Sequence, residues 1–198
     1  GKSIPSGHLA DTFAYNTSSA PATVNIQAKQ YINAKTMNFT SSKATYYLTY
    51  AENIYVGYKY YETRYEDAVL NRGNANGTKG VKNSTSTWKY SEEVAFPFGH
   101  GDSYTDFEFS SFSVKQNTNG DYDVTVKVTN TGNNVGKEVA QIYVQKPYTD
   151  YDKQYGIEQA SVNLAGYAKT ELLEPGESQT LLITVRDDAF KTYDAHNK

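Results

Sequence analysis

The chain has 198 residues, no cysteine and a net charge of −3, with 19 tyrosines beside a single tryptophan and a single methionine. Without cysteine, disulfides and thiolate metal sites are excluded, and dispersed basic residues leave nothing to neutralise a phosphate backbone, so nucleic acid is not an expected partner. A chain of this length buries roughly 70% of the surface its unfolded form exposes, enough for a core without covalent staples.

Residues 1–45 show little periodicity. Pro5, Gly7 and Pro21 punctuate them, which predicts extended loop with a short strand at Val24–Ala28. Next, "YYLTYAENIYVGYKYYETRYEDAVL" (Tyr46–Leu70) is dense in β-formers. Ile54, Val56 and Tyr58 alternate with Tyr55, Gly57 and Lys59, which predicts a strand. Asn71–Trp88 is a Gly/Asn/Ser/Thr loop too polar to pack alone, and its glycines lack the spacing of a phosphate cradle.

The character changes after Tyr104. "TDFEFSSFSVKQ", "GDYDVTVKVTNTG" and "KEVAQIYVQKP" alternate apolar and polar residues, so that Val124, Val126 and Val128 share one face and Thr125, Lys127 and Thr129 the other. "LLEPGESQTLLITV" repeats the pattern, with Pro175-Gly176 as a turn and Leu181, Ile183 and Val185 facing inward. Short strands divided by "NTNGD" and "NTGNNVG" predict a mainly β chain: an antiparallel sandwich of the immunoglobulin or fibronectin type III kind. The internal boundary is placed between residues 103 and 104. No run is long enough to cross a bilayer, and "GKSIPSGHLADTF" lacks the charged and apolar regions of a signal peptide. The expectation is a soluble chain with no membrane partner, cytoplasm and secretion both left open.

Candidate chemistry is sparse. Glu66-Asp67, Glu92-Glu93 and Asp187-Asp188 are adjacent acids, but neighbours along a strand or loop point apart, so they read as solvated or structural. Arg64, among Tyr60, Tyr61 and Tyr65, reads as an internal ion-pair partner stacked on tyrosine. His8, His100 and His196 lack metal-ligand spacing, and His100 reads as a loop residue. Asn16, Asn38, Asn76 and Asn83 head glycosylation-type triplets, which arise freely in an Asn/Thr-rich chain. No catalytic or metal-ligating residue is assigned, substrate-binding residues are left open, and no cofactor is expected. The abundant tyrosine suits strands, wet interfaces and sugar-stacking surfaces alike.

Three stretches carry a resemblance. "PSGHLADTF" (Pro5–Phe13), "IYVGYKYYETRYED" (Ile54–Asp67) and "VAFPFGHGDSYTDFEFS" (Val94–Ser110) resemble the tail of the α/β sandwich domain of family 3 glycoside hydrolases. "VTVKVTNTGNNVGKEVAQIYVQKP" and "LAGYAKTELLEPGESQTLLITV" resemble the fibronectin type III-like domain that follows it, and Trp88 with the loop before it resembles the larger clostridial and rumen-type β-glucosidases. The resemblance implies a partial α/β sandwich segment over 1–103 and a fibronectin type III-like domain over 104–198, with one further strand due after "FKTYDAHNK". Phe-Gly-x-Gly would be the hinge between them: Gly99 and Gly101 supply unusual backbone angles, and Phe96 and Phe98 anchor the interface. Asp102 departs from the apolar residue usual there, and a buried lone carboxylate would loosen the junction.

The resemblance also implies a parent enzyme, a retaining β-glucosidase that removes terminal β-linked glucose from oligosaccharides, with two carboxylates about 5–5.5 Å apart. The family's nucleophile is an aspartate followed by tryptophan on a (β/α)8 barrel, and the sequence has no Asp-Trp pair. The acid/base glutamate is expected upstream of Gly1. The chain is therefore expected to be a non-catalytic C-terminal segment whose partner, in cis or in trans, is that barrel domain. The other reading is a free-standing carbohydrate- or protein-binding β module.

Overall fold

The computed structural model describes residues 5, 7–25, 29–32, 46–47, 50, 52–70 and 88–197. The expected glycosylation triplets at Asn38, Asn76 and Asn83, and the polar loop up to residue 87, lie outside them.

Phe13–Ala14 (β1) pairs antiparallel with Val94–Phe96 (β4), a strand that continues directly from the helical turn Tyr90–Glu93 (α2). Lys29–Gln30 (β2) pairs with Tyr46–Tyr47 (β3). Two expectations are corrected in this half. Pro21–Asn25 is a 3-10 helix where a strand at Val24–Ala28 was expected, and residues 26–28 lie outside the described residues. The strand expected through Ile54, Val56 and Tyr58 is instead a turn opening an α-helix, Tyr58–Ala68 (α1). Gly57, at φ 55, turns the chain into that helix. Side-chain burial then overrides β-propensity: Tyr60, Tyr61 and Arg64 are buried together, at the spacing of a helix face. Tyr55, Tyr60, Tyr61, Trp88 and Val94 form one core. No helix among the described residues is long and apolar enough to cross a membrane.

The second half follows the alternation read from the sequence. Phe107–Gln116 (β5), Tyr122–Asn130 (β6) and Ser178–Val185 (β9) make one antiparallel sheet in the order β5-β6-β9. Val139–Val144 (β7) and Asn163–Lys169 (β8) make a second. Val124 faces Ile183 and Val126 faces Leu181 in the register of β6 and β9. Val126, Val128, Leu181 and Ile183 pack on Ala140 of β7, while Val124 and Val185 pack on Val144. β6 and β9 bury every second residue along most of their length, as strands of a half-buried sheet must. Pro175-Gly176 turns as expected, with Gly176 at φ 83 and the Glu177 amide donating to the Glu174 carbonyl at 2.9 Å.

The sequence pattern does not predict the helix that follows β7. Asp150–Tyr155 (α3) is a helix with a reciprocal cap: the Thr149 hydroxyl accepts from the Asp152 amide, and the Asp152 carboxylate accepts from the Thr149 amide. The chain leaves α3 through Gly156, at φ 65.

Candidate functional site

The two halves meet across a bed of rings and two glycines. Phe98 lies 4.6 Å, centroid to centroid, from Tyr58 of α1 and 6.4 Å from Tyr143 of β7, and Tyr58 meets Tyr143 edge-on at 6.1 Å. The Leu164 amide of β8 donates to the Tyr58 hydroxyl at 2.9 Å, and the Ser161 amide donates to the buried Thr63 hydroxyl of α1 at 2.9 Å. Gln145 donates its amide to the Glu66 carboxylate at 3.3 Å, and Asn53 donates to Glu158 at 2.6 Å.

The two glycines act differently. Gly99 sits at φ 79, and a Cβ there would also collide with the Gln141 side chain. Gly101 has no unusual φ; its Cβ would fall 2.7 Å from the Gly7 carbonyl oxygen, so closeness of backbones, not a backbone angle, is what it supplies. His8 clamps the same corner: Nδ1 donates to the Gly99 carbonyl at 2.6 Å and Nε2 lies 2.7 Å from Glu138 Oε1.

Of the two phenylalanines expected to anchor this junction, only Phe98 does so. Phe96 is 49% exposed and stacks on His100 at 5.1 Å. It lines an apolar groove of about 500 Å³ with Pro5, Leu9, Phe13 and His100. Asp102 is not buried: its side chain is 91% exposed, 3.7 Å from the His100 imidazole, so the desolvation cost expected for it does not arise.

Beside the ring bed, Tyr58, Glu62, Tyr90, Phe98 and Tyr143 enclose a cleft of about 440 Å³. The Tyr90 hydroxyl donates to Glu62 at 2.6 Å. Burial raises the Glu62 carboxyl above the usual range, although that hydrogen bond opposes it. Burial first, then nearby Tyr58 and Glu62, pushes the Tyr143 phenol up to about 12. With the carboxylate already held by a phenol, the cleft offers aromatic faces and one acidic group.

The other sequence candidates lie apart. Arg64 is buried inside the first core with its guanidinium 5.8 Å from the Trp88 ring centre, not in a cleft. Glu66 is buried against Gln145. Glu92 pairs with Lys89 at 2.7 Å; Asp187 pairs with Lys191 and Asp188 with Arg186, both at 2.6 Å. His196 stacks on Tyr155 at 5.0 Å, far in sequence from His8 and His100. Asn16 accepts the Ser18 amide and hydroxyl and closes a surface turn.

Residues 138–198 match the fibronectin type III-like domain family. Over 98% of its length the chain is 32% identical to a β-glucosidase of Ruminococcus albus, of which it covers 15%. It is 31% identical over its whole length to thermostable β-glucosidase B of Acetivibrio thermocellus, of which it covers 20%. Among solved structures, a family 3 β-glucosidase of Bifidobacterium adolescentis superposes on 98% of the chain with TM-score 0.69 and 25% identity, with 22% of that protein covered. A β-glucosidase of Paenibacillus barengoltzii superposes on 94% with TM-score 0.65 and 31% identity, with 15% of it covered. The chain thus spans about a fifth or less of the proteins it resembles.

Proposed function

The chain belongs to the β-glucosidases of glycoside hydrolase family 3 as the counterpart of their C-terminal part, and from that premise we propose that it is the non-catalytic segment supporting the barrel and substrate cleft of such an enzyme. The observation that carries the reading is the continuity of the similarity. It runs through both halves and across the junction between them, over 98% of the chain, rather than stopping at the sandwich. The parent activity on this reading is retaining hydrolysis of terminal β-linked glucose from oligosaccharides, with both catalytic carboxylates supplied by the rest of the enzyme.

Residues 1–103 then close the α/β sandwich domain and 104–198 form the fibronectin type III-like domain. The apolar groove of Pro5, Leu9, Phe13 and Phe96 is the surface on which the remainder of the enzyme packs. The sandwich takes a further strand along β7, which among the described residues pairs with β8 alone. Phe109 and Phe112 of the edge strand β5, 49% and 64% exposed, line the depression beside β7 that such a strand would cover.

The test is turnover of an aryl β-glucoside by the pure 198-residue protein. None is expected; measurable hydrolysis proportional to chain concentration, and abolished by removing the chain with an antibody, overturns the reading.

A further inference from the structure

A second cleft, about 440 Å³, opens where Asn53 and Lys59 meet the segment 155–163 and the segment 191–196. Its charge is unbalanced. Lys59 and Lys146 both line it, and among the described residues neither makes an ion pair. Lys146 is half-buried, and among the described residues its ammonium donates only to a backbone oxygen, the Lys191 carbonyl at 2.7 Å. Burial, and then the charge of Lys59, holds its pKa below the usual lysine range.

One carboxylate, Glu158, lines the same cleft, and the charge of Asp152 acts on Lys146 against the two effects that lower its pKa. Glu158 accepts from the Asn53 amide at 2.6 Å, and Asp152 is bound into the cap of α3. Lys191 is held by Asp187. The walls are aromatic: Tyr155 is 41% exposed and Tyr193 76% exposed, and Tyr155 is braced by Tyr151 at 4.6 Å and His196 at 5.0 Å. A tyrosine ring so supported offers a flat apolar face at low entropic cost. Two lysine ammonium groups against the one lining carboxylate of Glu158 leave an excess of positive charge beside such faces, which suits a ligand flat on one side and anionic at its edge.

We propose that this cleft binds a carboxylate-bearing sugar, a uronic acid residue within an oligosaccharide, with Tyr155 and Tyr193 against the ring and Lys59 and Lys146 holding the carboxylate. The site contains none of the residues of the junction cleft. It stands whether or not the glycosidase reading does.

The experiment is calorimetric titration of the 198-residue chain with tetragalacturonate, with cellotetraose and inorganic phosphate as comparison probes. Saturable binding of tetragalacturonate that weakens as salt is raised is expected. Lys59→Gln is expected to weaken it about tenfold, the equivalent of one charge-assisted hydrogen bond. Tyr193→Ala, at a side chain too exposed to threaten the core, serves as the second variant and is expected to weaken it several-fold. The proposal is overturned by an absence of saturable tetragalacturonate binding, by cellotetraose binding equally well, or by phosphate binding as tightly with indifference to Tyr193→Ala. Unchanged tetragalacturonate affinity in both variants overturns it as well.

Discussion

Asn130→Ala is expected to destabilise the chain by about 3–4 kcal/mol and to lower its thermal midpoint by roughly 10 °C. Asn130 ends β6 fully buried, with every polar atom of its side chain engaged. Its carbonyl oxygen accepts from the Thr105 hydroxyl at 2.7 Å and the Gly132 amide at 3.1 Å; its amide donates to the Asn134 and Leu173 carbonyls at 2.7 and 2.9 Å. The side chain therefore ties the entry to β5, the β6–β7 turn and the entry to β9 to a single point. Truncation strands those partners in a place closed to water, and each buried unmet group costs on the order of 1–3 kcal/mol before relaxation. Leucine fills the volume without restoring one bond, so Asn130→Leu is expected to fare no better. Denaturant titration of the three proteins decides it, and a loss of stability below about 0.5 kcal/mol, the range of an ordinary surface change, would refute the hub.

Arg64→Ala is expected to cost about 3 kcal/mol, in the range of a large buried side chain cut to a methyl group. Arg64 is 2% exposed, above the Trp88 ring and among Tyr60 and Tyr61. Its charge also holds down the Tyr60 phenol, which burial nevertheless pushes up to about 12. Lysine cannot present a planar face to the indole, so Arg64→Lys is expected to recover less than half of the loss. An arginine that served an open sugar-binding cleft would behave oppositely: alanine would leave unfolding midpoints unchanged. Thermal unfolding of the two variants separates these outcomes.

What was legible in the sequence depended on the range of the interactions involved. The sandwich strands were legible because Val124, Val126 and Val128 alternate against Thr125, Lys127 and Thr129, and a sheet with one buried face imposes that period within a few residues. Helix α1 was not, because Tyr, Thr and Val carry β-propensity and the short run Ile54-Tyr55-Val56 mimics a strand. The true signal there was the return of Tyr60, Tyr61 and Arg64 to one face. Helix α3 has its signal in Thr149-Asp150-Tyr151-Asp152, a capping pattern with an aspartate in the third position, too short to stand out among the surrounding β-formers.

The junction was half legible. "FPFGHG" marks a turn, but that Phe98 points inward while Phe96 faces the groove follows from Tyr58 and Tyr143, residues far away in the chain. The approach of His8 to Glu138 spans 130 positions, and no local pattern encodes it. The cleft of Lys59 and Lys146 has the same origin: two ordinary lysines gain meaning only where the fold brings them into one cleft.

The size of the native polypeptide that carries this sequence tests the central claim most directly. Immunodetection in cells that produce it is expected to show a band several times larger than 22.1 kDa, the mass of this chain, as befits a segment covering 15–20% of its relatives. A sole band at 22.1 kDa would contradict the account and make the chain a free-standing module.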